Sequence, residues 1–459
     1  MDAINDFVKL FTGTRYADIP AAAIDAAKKE VLDSLATAIG GSSQAGVGEL
    51  VDMVSEWGGK EQSTIIAYGM KCPAPNAAQV NATMTHALDY DDGHPIAQVH
   101  IGCVAVPTGF AVAERMNGKN GQEFLTALAL GADFLARLGL ASRPGGSLIK
   151  SGWHPTALYG YLGAAAIAGR LLGLDEEKMT NALGIAYHQC AGNSQCVNDG
   201  AMTKRMGPGL AARGGITAAL MAERGITGAR NILEGEYGVF QQYHGGDYDI
   251  NIMTADLGTR FEGANIGDKP YPCCGFSHAF IDAALSLRSR HNIDVEQVES
   301  ITAYGGETAC EICMPLEVKR APRNTIDSQF SLPWAIATAL VKGRVAVDDF
   351  TLEAIKNEGV LRAAQKITCE LDSSLNRHGV GPGRVKITMK DGTEYVEEVE
   401  HCLGSIEHPM NFDDCARKFR ECAAGLKKPL SAGTVDTVIE MTAGLEKLDD
   451  ATAIIRLLG

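Results

Sequence analysis

The residues with the greatest potential for chemistry lie between positions 86 and 100, in the segment HALDYDDGHPIAQVH. Three aspartates and three histidines share these positions, and residues 76–88 have the pattern of a helix. The aspartates then lie near a helix C-terminus, where the helix dipole disfavours negative charge. Grouped carboxylates and imidazoles suit general acid–base catalysis, because neighbours shift each other's pKa. The segment predicts a catalytic or substrate-binding loop, with metal binding and structural capping as alternatives.

Two further segments place a basic or imidazole side chain at the start of a predicted helix. His154 precedes Pro155, a residue that favours the first helical position, and Lys204 precedes a Gly-Pro-Gly break at 207–209 that we expect to open a helix. A helix N-terminus offers unpaired N–H groups and partial positive charge, which bind anions. Taken singly, His154 is equally compatible with an ordinary loop, and Lys204 with a solvated surface position.

A third segment of this kind is Lys269-Pro-Tyr-Pro, which precedes a predicted helix at 278–290 that Ser277 can cap. Three helix starts, each with a nearby Lys or His, together predict a carboxylate-binding site in an otherwise acidic protein.

The charge pattern argues against two classes of partner. The chain has 459 residues, a formal net charge of −15 and no basic stripe, so neither nucleic acid nor an anionic membrane is expected as the main partner. The first twenty residues lack a basic stretch followed by an apolar one, and no apolar run reaches the roughly 18 residues that span a bilayer. We therefore expect a cytoplasmic protein.

Cysteine and glycine motifs give little support for a cofactor. The twelve cysteines of a long chain without a secretion signal are expected to be reduced thiols. Cys310-Glu-Ile-Cys313 is a single C-x-x-C and Cys273-Cys274 an isolated pair, so we interpret both as incidental. The sequence has neither a phosphate-binding loop nor a dinucleotide fingerprint. We predict no cofactor and no metal.

The order of patterns along the chain predicts two domains. Apolar residues recur at helical spacing up to about residue 260, with many Ala and Gly on the faces expected to be buried. Strand patterns follow, including a hairpin at Asp391-Gly392, and helical patterns return from about 405. We predict a mainly α protein with an all-helical domain of residues 1–260 and 405–459, and an inserted α+β lid of residues 261–404. Predicted helices include 20–39, 121–140, 156–173, 177–190 and 209–225.

Four motifs in this order resemble the 2-methylcitrate dehydratase (MmgE/PrpD) family, which includes cis-aconitate decarboxylase and iminodisuccinate epimerase. They are HALDYDDGH, GWHPTALYG, the segment beginning TKRMGPGLAARGG, and KPYPCCGFSHAFIDA. The likeness extends over nearly the whole chain, to a C-terminal stretch at Lys418-Phe-Arg-Glu-Cys-Ala. The resemblance implies a large helical domain with an α+β lid, a homodimer, and catalysis without a metal or iron–sulfur cluster.

Matched motif by motif, the resemblance places the family's site residues on Asp89, His100, His154, Lys204 and Lys269. It implies that the lysines and helix starts hold substrate carboxylates while an imidazole moves the proton next to a carboxylate. His100 is the first choice for that role and His154 the second. The chain departs from its relatives at Gly93, at Ile101-Gly102 and at Gly207, and it lacks a lid tyrosine near 313–318. These departures count against cis-aconitate decarboxylase in particular.

The expected activity is that of a cofactor-independent lyase, a hydro-lyase acting on a small di- or tricarboxylate such as a 2-methylcitrate-like substrate. The alternatives are an epimerase or isomerase of a small dicarboxylate, a decarboxylase of the cis-aconitate type, a catalytically silent carboxylate-binding protein, and a metal-dependent hydrolase.

Overall fold

The structure is a computed structural model that describes residues 2–143, 151–377, 380–426 and 429–459. The chain divides into two compact units. The larger unit contains the chain up to Ala87, Asp91–Ile266 and Asn411–Gly459, and the smaller contains Leu88–Tyr90 and Gly267–Met410. The sequence predicts boundaries at 260/261 and 404/405, and its pattern does not indicate that Leu88–Tyr90 belong to the smaller unit.

The first part of the larger unit is helical apart from one short antiparallel strand pair. Four predicted helices, those at 20–39, 121–140, 156–173 and 177–190, are confirmed to within two residues at each end. The elements are α1 (Ile4–Gly13), α2 (Ala21–Gly41), α3 (Val47–Trp57), β1 (Ser63–Ile65), β2 (Met70–Cys72), α4 (Ala74–His86), α5 (Gly102–Arg115), α6 (Gly121–Ala141), α7 (Pro155–Leu172), α8 (Glu176–Gln189), α9 (Gln195–Asn198), α10 (Thr203–Glu223), α11 (Val239–His244) and α12 (Ile250–Thr254).

Small residues allow these helices to approach closely. A Cβ atom added to Gly215 of α10 would lie 2.5 Å from the Cβ of Ala164 in α7, and one added to Gly209 would lie 2.4 Å from the backbone oxygen of Gln79 in α4. Only glycine permits both approaches, since real Cβ contacts are longer. The α6 helix is long and apolar enough to cross a membrane, but 94% of its apolar stretch is buried inside the fold, as is usual for a core helix.

One predicted helix start is wrong. The α10 helix begins at Thr203 and runs through Pro208, so the Gly-Pro-Gly segment lies inside it and Lys204 lies in its first turn. An interior proline removes one backbone hydrogen bond and usually costs about 3 kcal/mol or more. The close packing of Gly209 on α4 and of Gly215 on α7 extends along this same helix, and such tertiary contacts override local propensity.

The smaller unit is built around a four-stranded mixed sheet with the strand order β4-β3-β5-β6. Its helices pack on this sheet through a core that includes Phe280, Trp334 and Val385. The predicted hairpin is confirmed, with Asp391-Gly392 between β5 and β6. The elements are α13 (His278–His291), β3 (Val298–Gly305), α14 (Glu307–Glu311), α15 (Leu316–Arg320), α16 (Thr325–Gln329), α17 (Leu332–Lys342), α18 (Glu358–Gln365), β4 (Ile367–Leu371), β5 (Gly383–Met389) and β6 (Glu394–Val399).

The C-terminal helices rejoin the larger unit. They are α19 (Phe412–Ala424), α20 (Ala432–Ala443) and α21 (Ala453–Arg456). Lys418 of α19 and Asp33 of α2 form a buried ion pair, with 2.5 Å between Nζ and Oδ1. This pair links the two ends of the chain, and the predicted fold class, mainly α with a smaller α+β part, is confirmed.

Candidate active site

Three histidines and an aspartate come together in the larger unit. The Oδ2 atom of Asp91 lies 2.7 Å from Nδ1 of His86 and 3.3 Å from Nδ1 of His100. The ring of His86 also lies 4.7 Å from the ring of His100 and 5.9 Å from that of His154, measured between centroids. We call His86, Asp91, His100 and His154 the histidine cluster. Its members come from the end of α4, the segment after it, the residues before α5 and the start of α7.

Asp92 fixes the path of this segment. Its carboxylate accepts hydrogen bonds from the backbone N–H groups of Ile101 (3.1 Å) and Gly102 (2.9 Å) at the start of α5. The C-terminus of α4 disfavours the negative charge of Asp92, but the N-terminus of α5 stabilises it. Gly102 is required for this approach, because a Cβ there would lie 2.5 Å from Asp92 Oδ1 and 2.4 Å from Ser34 Oγ. This explains why residue 102 is a glycine.

The contacts of His100 determine its tautomer. Its Nδ1 lies 2.7 Å from the backbone oxygen of Asp92, and its backbone N–H donates to Thr156 Oγ1 in α7. A carbonyl oxygen only accepts, so Nδ1 carries the proton and Nε2 of the neutral ring holds a lone pair. None of the described residues forms a hydrogen bond with this Nε2. The side chain is 21% exposed, whereas those of His86 and Asp91 are fully buried. His100 therefore has the geometry of a general base accessible to a substrate.

The protonation states within the cluster follow from burial and charge. Burial lowers the pKa of His86 to about 4 against the opposing effect of Asp91, so its ring is neutral near pH 7 and donates from Nδ1 to that carboxylate. Burial alone would raise the pKa of Asp91, but the two neighbouring imidazoles hold it well below its usual value. An ionised Asp91 beside His100 stabilises the imidazolium that forms when His100 takes up a proton, as in other base–carboxylate pairs.

His154 and Lys204 lie where helices begin. His154 is the N-cap of α7, with Pro155 at the first helical position, and its Nδ1 accepts a long hydrogen bond of 3.4 Å from Ala157 N–H. This contact requires an unprotonated Nδ1. Lys204 lies in the first turn of α10, and its charge contributes to lowering the pKa of His86. The larger unit thus brings together three of the five residues that the resemblance indicates, namely His100, His154 and Lys204.

The other two predicted residues lie together in the smaller unit. Lys269 Nζ forms an ion pair of 3.0 Å with Asp89 Oδ2 and also donates to the backbone oxygen of Asp89. Asp89 has a positive φ of 52°, a conformation that aspartate tolerates better than most residues. Gln329 donates to the backbone oxygen of Leu88, and Tyr90 to that of Pro270. These contacts hold the three-residue segment Leu88–Tyr90 in the smaller unit.

Among the acidic residues of this loop the sequence indicates only Asp89, and it does not indicate three further residues that the structure places near His100. Asp91 contacts both His86 and His100, and the backbone oxygen of Asp92 orients the His100 ring. The His86 ring packs against that of His100. All three residues lie in the same sequence segment as Asp89. Only the folded structure distinguishes them, because it places them in the larger unit and Asp89 in the smaller one. Ser277, predicted to cap α13, precedes that helix but its side chain makes no capping hydrogen bond.

Among the described residues, two members of the cluster and Cys103 form one arrangement of metal-ligand type. Ligand atoms of His86, Asp91 and Cys103 lie within 4.8 Å of one another. Burial and the negative charges of Asp91 and Asp92 raise the pKa of the Cys103 thiol well above its usual value. A metal ion bound by these three residues would have to displace the thiol proton, because the thiolate rather than the thiol is the metal ligand.

Both halves of the chain match one family. The model of the MmgE/PrpD N-terminal domain matches residues 5–251, and that of the MmgE/PrpD C-terminal domain matches residues 271–438. The similar curated proteins include the cis-aconitate decarboxylase of Aspergillus terreus, which is 28% identical over 96% of this chain and 92% of the relative. The human cis-aconitate decarboxylase is 26% identical over 98% of this chain and 93% of its own length. This chain belongs to the MmgE/PrpD family, and the relatives it matches are lyase-type enzymes.

Proposed function

We propose that this protein is a lyase that acts on a small di- or tricarboxylate by removing the proton next to a carboxylate, followed by elimination of water. The observation that carries the proposal is the tautomer of His100, whose proton on Nδ1 is directed at Asp92 O and whose Nε2 holds a lone pair, in a side chain that is 21% exposed. Proton abstraction is the step that such a base performs.

Each element of the cluster then has a role. His100 Nε2 accepts the substrate proton, and Asp91 at 3.3 Å stabilises the resulting imidazolium. Lys204 and the N-terminus of α7, with His154 at its cap, stabilise the negative charge that develops on the substrate carboxylate. His154 is the second proton-transfer group, and it returns a proton to the leaving hydroxyl. We retain the carboxylate-binding role of Lys269 as a proposal, with Asp89 as its partner in the absence of substrate.

A product assay tests this activity. The purified protein is incubated with a panel of di- and tricarboxylates, hydroxylated and unsaturated, and the products are identified by mass spectrometry and NMR. We expect an unsaturated acid from a hydroxy acid, or the reverse hydration. Binding of carboxylates with no turnover across the panel would show a silent binding protein instead.

Decarboxylation is the second candidate, because the relatives named above are cis-aconitate decarboxylases. Release of carbon dioxide from cis-aconitate by the wild-type protein, with loss of release in His100→Gln, would establish this candidate in place of dehydration. An epimerase is recognised in heavy water, since it returns deuterium to a product of unchanged composition.

We propose that turnover needs no metal ion. Activity is expected to survive dialysis against a chelator. Loss of activity on chelation, with recovery on adding one particular divalent ion, would instead indicate a metal bound at His86, Asp91 and Cys103.

We also propose a homodimer. Large apolar side chains on α3 and α10 are exposed, among them Trp57 (49%) and Leu210 (46%), and the guanidinium of Arg213 lies 4.8 Å from the Trp57 ring centroid. Exposed apolar surface of this kind is typical of protein interfaces. Light scattering on the eluting protein should give about twice the chain mass of 48.6 kDa, and Leu210→Asp should give the monomer.

A further inference from the structure

Three cysteines lie together in the smaller unit, and none of them is among the residues assigned to the reaction. The Sγ atoms of Cys310 and Cys369 are 3.4 Å apart, and the Cys313 side chain is near enough to Cys369 to affect its pKa. None of the twelve cysteines, all of which lie in the described part of the chain, forms a disulfide. Nine of them are buried, and the three that are partly exposed are Cys196, Cys310 and Cys369. Two of the three partly exposed cysteines are therefore in contact with each other.

The fold brings this pair together from positions 59 residues apart. Cys310 lies in α14, which follows β3 directly after Gly306. Cys369 lies in β4, the edge strand that pairs in parallel with β3, and Ala303 is opposite Cys369 in the register. Asp372 N–H donates to the backbone oxygen of Gly305 and thereby fixes the end of β4 beside the start of α14. Because both thiols are carried by hydrogen-bonded elements, their contact is a property of the folded unit.

We propose that Cys310 and Cys369 form a modification site, at which a small disulfide of the glutathione class oxidises the two thiols to an intramolecular disulfide. The Cys310 thiolate attacks one sulfur of the small disulfide, which forms a mixed disulfide and releases one small thiolate. The Cys369 thiolate then attacks the Cys310 sulfur and releases the second small thiolate. The two cysteine protons end on the two small thiols. The protein loses two electrons, and one small disulfide is reduced.

The environment of the pair sets the order and the rate of these steps. Burial, with a smaller contribution from the contact with Cys369, raises the pKa of the Cys310 thiol to about 12. The pKa of Cys369 is raised further, first by its interaction with the Cys313 side chain and then by burial. Cys310 is therefore the attacking thiol. Since the thiolate is the nucleophile, the reaction is slow at neutral pH and its rate rises about tenfold per pH unit up to about pH 9.

Peptide mapping tests the site on the full-length protein. The native protein is incubated with oxidised glutathione at pH 8 to 9, its remaining thiols are alkylated, and it is digested without reduction. We expect a cross-linked peptide that contains Cys310 and Cys369, with a mass two hydrogens below the sum of its parts. Closing a loop of this length also raises the midpoint of thermal unfolding.

Matched variants separate this pair from other thiols. Cys310→Ser should abolish the cross-link, whereas Cys196→Ser, which removes the other partly exposed thiol, should leave it intact. Buried Cys422 should resist alkylation in the folded protein, which shows that the chain stays folded during oxidation. The proposal fails if Cys310 or Cys369 is recovered as a lasting mixed disulfide with glutathione, if Cys369 is linked to Cys313 instead, or if both remain reduced at pH 9.

Discussion

The Nδ1 atom of His100 lies 2.7 Å from the backbone oxygen of Asp92, whose own carboxylate caps the helix that begins two residues after His100. One aspartate thus orients the imidazole through its backbone and anchors the loop through its side chain. The neighbouring Asp91 supplies the charge beside the same imidazole. This division of roles between adjacent aspartates leads to specific predictions.

Replacement of His100 by glutamine should abolish proton transfer while preserving the fold. We expect kcat/KM to fall by about 10²- to 10⁴-fold, the usual contribution of a general base, with little change in the midpoint of thermal unfolding. The control is His188→Gln on the exposed face of α8, which should retain full activity. Wild-type turnover in His100→Gln would refute the assignment of the base.

Replacement of Asp91 by asparagine should reduce kcat more than it changes KM. Asparagine is of similar size but cannot stabilise an imidazolium on His100, and removal of the carboxylate in comparable base–carboxylate pairs costs up to about 10⁴-fold in kcat. Steady-state kinetics of Asp91→Asn should be compared with Asp52→Asn on the exposed side of α3. Equal kcat values in the two variants would contradict the role of Asp91.

Two glycines near His100 should respond differently to an added side chain. A Cβ at Gly93 would lie 3.7 Å from His100 Nδ1, in ordinary contact, whereas one at Gly102 would lie 2.5 Å from Asp92 Oδ1. Gly93→Ala should fold with near wild-type stability and change the relative kcat/KM values among substrates. Gly102→Ala should lower the free energy of unfolding by about 1 to 3 kcal/mol, because the Asp92 carboxylate must move. A denaturant titration in which both variants show the same stability would contradict this distinction.

Acid should destabilise the protein through histidines that are buried in the neutral form. Burial lowers the pKa of His94 to about 4, and its Nδ1 accepts a hydrogen bond from Ala97 N–H, which protonation would break. In the unfolded chain His94 is protonated below about pH 6.5, and in the folded chain it is protonated only below about pH 4. The contribution of His94 is therefore fully present above pH 6.5 and is lost as the pH falls to about 4. The loss is about 3 kcal/mol for this group.

The test is the free energy of unfolding of His94→Asn between pH 4 and 7. Asparagine can accept the same hydrogen bond without titrating, so the variant should lose less stability with acid than the wild type. The exposed-site variant His188→Asn should retain the wild-type slope. An unchanged slope in His94→Asn would show that His94 does not contribute.

The ion pair between α2 and α19 should be sensitive to loss of its cation. Lys418→Met leaves the buried Asp33 carboxylate facing an apolar side chain, and such changes cost about 3 to 5 kcal/mol. Arg420→Met on the same helix removes an ion pair with Asp436 in which both side chains are more than half exposed, and it should leave the thermal midpoint nearly unchanged. Equal effects of the two substitutions would contradict the prediction.

The sequence by itself determined the fold class, several long helices of the larger unit, the hairpin and the family. These features depend on local patterns, namely apolar spacing, Asp-Gly turns and short motifs such as HALDYDDGH. It also identified His100 and His154, which the fold brings into the histidine cluster, and Lys204, whose charge acts on His86 of that cluster.

Only the tertiary structure decided which side chains act together. Helical periodicity could not show that α10 continues through Pro208, because glycine packing against α4 and α7 overrides the local signal. The sequence could not distinguish Asp91 from Asp89, because the two aspartates are two residues apart in the chain but belong to different units of the fold. Nor could it pair Cys310 with Cys369. Spacing along the chain fixes neighbours within one helix or strand, whereas contacts between elements depend on how their buried surfaces pack.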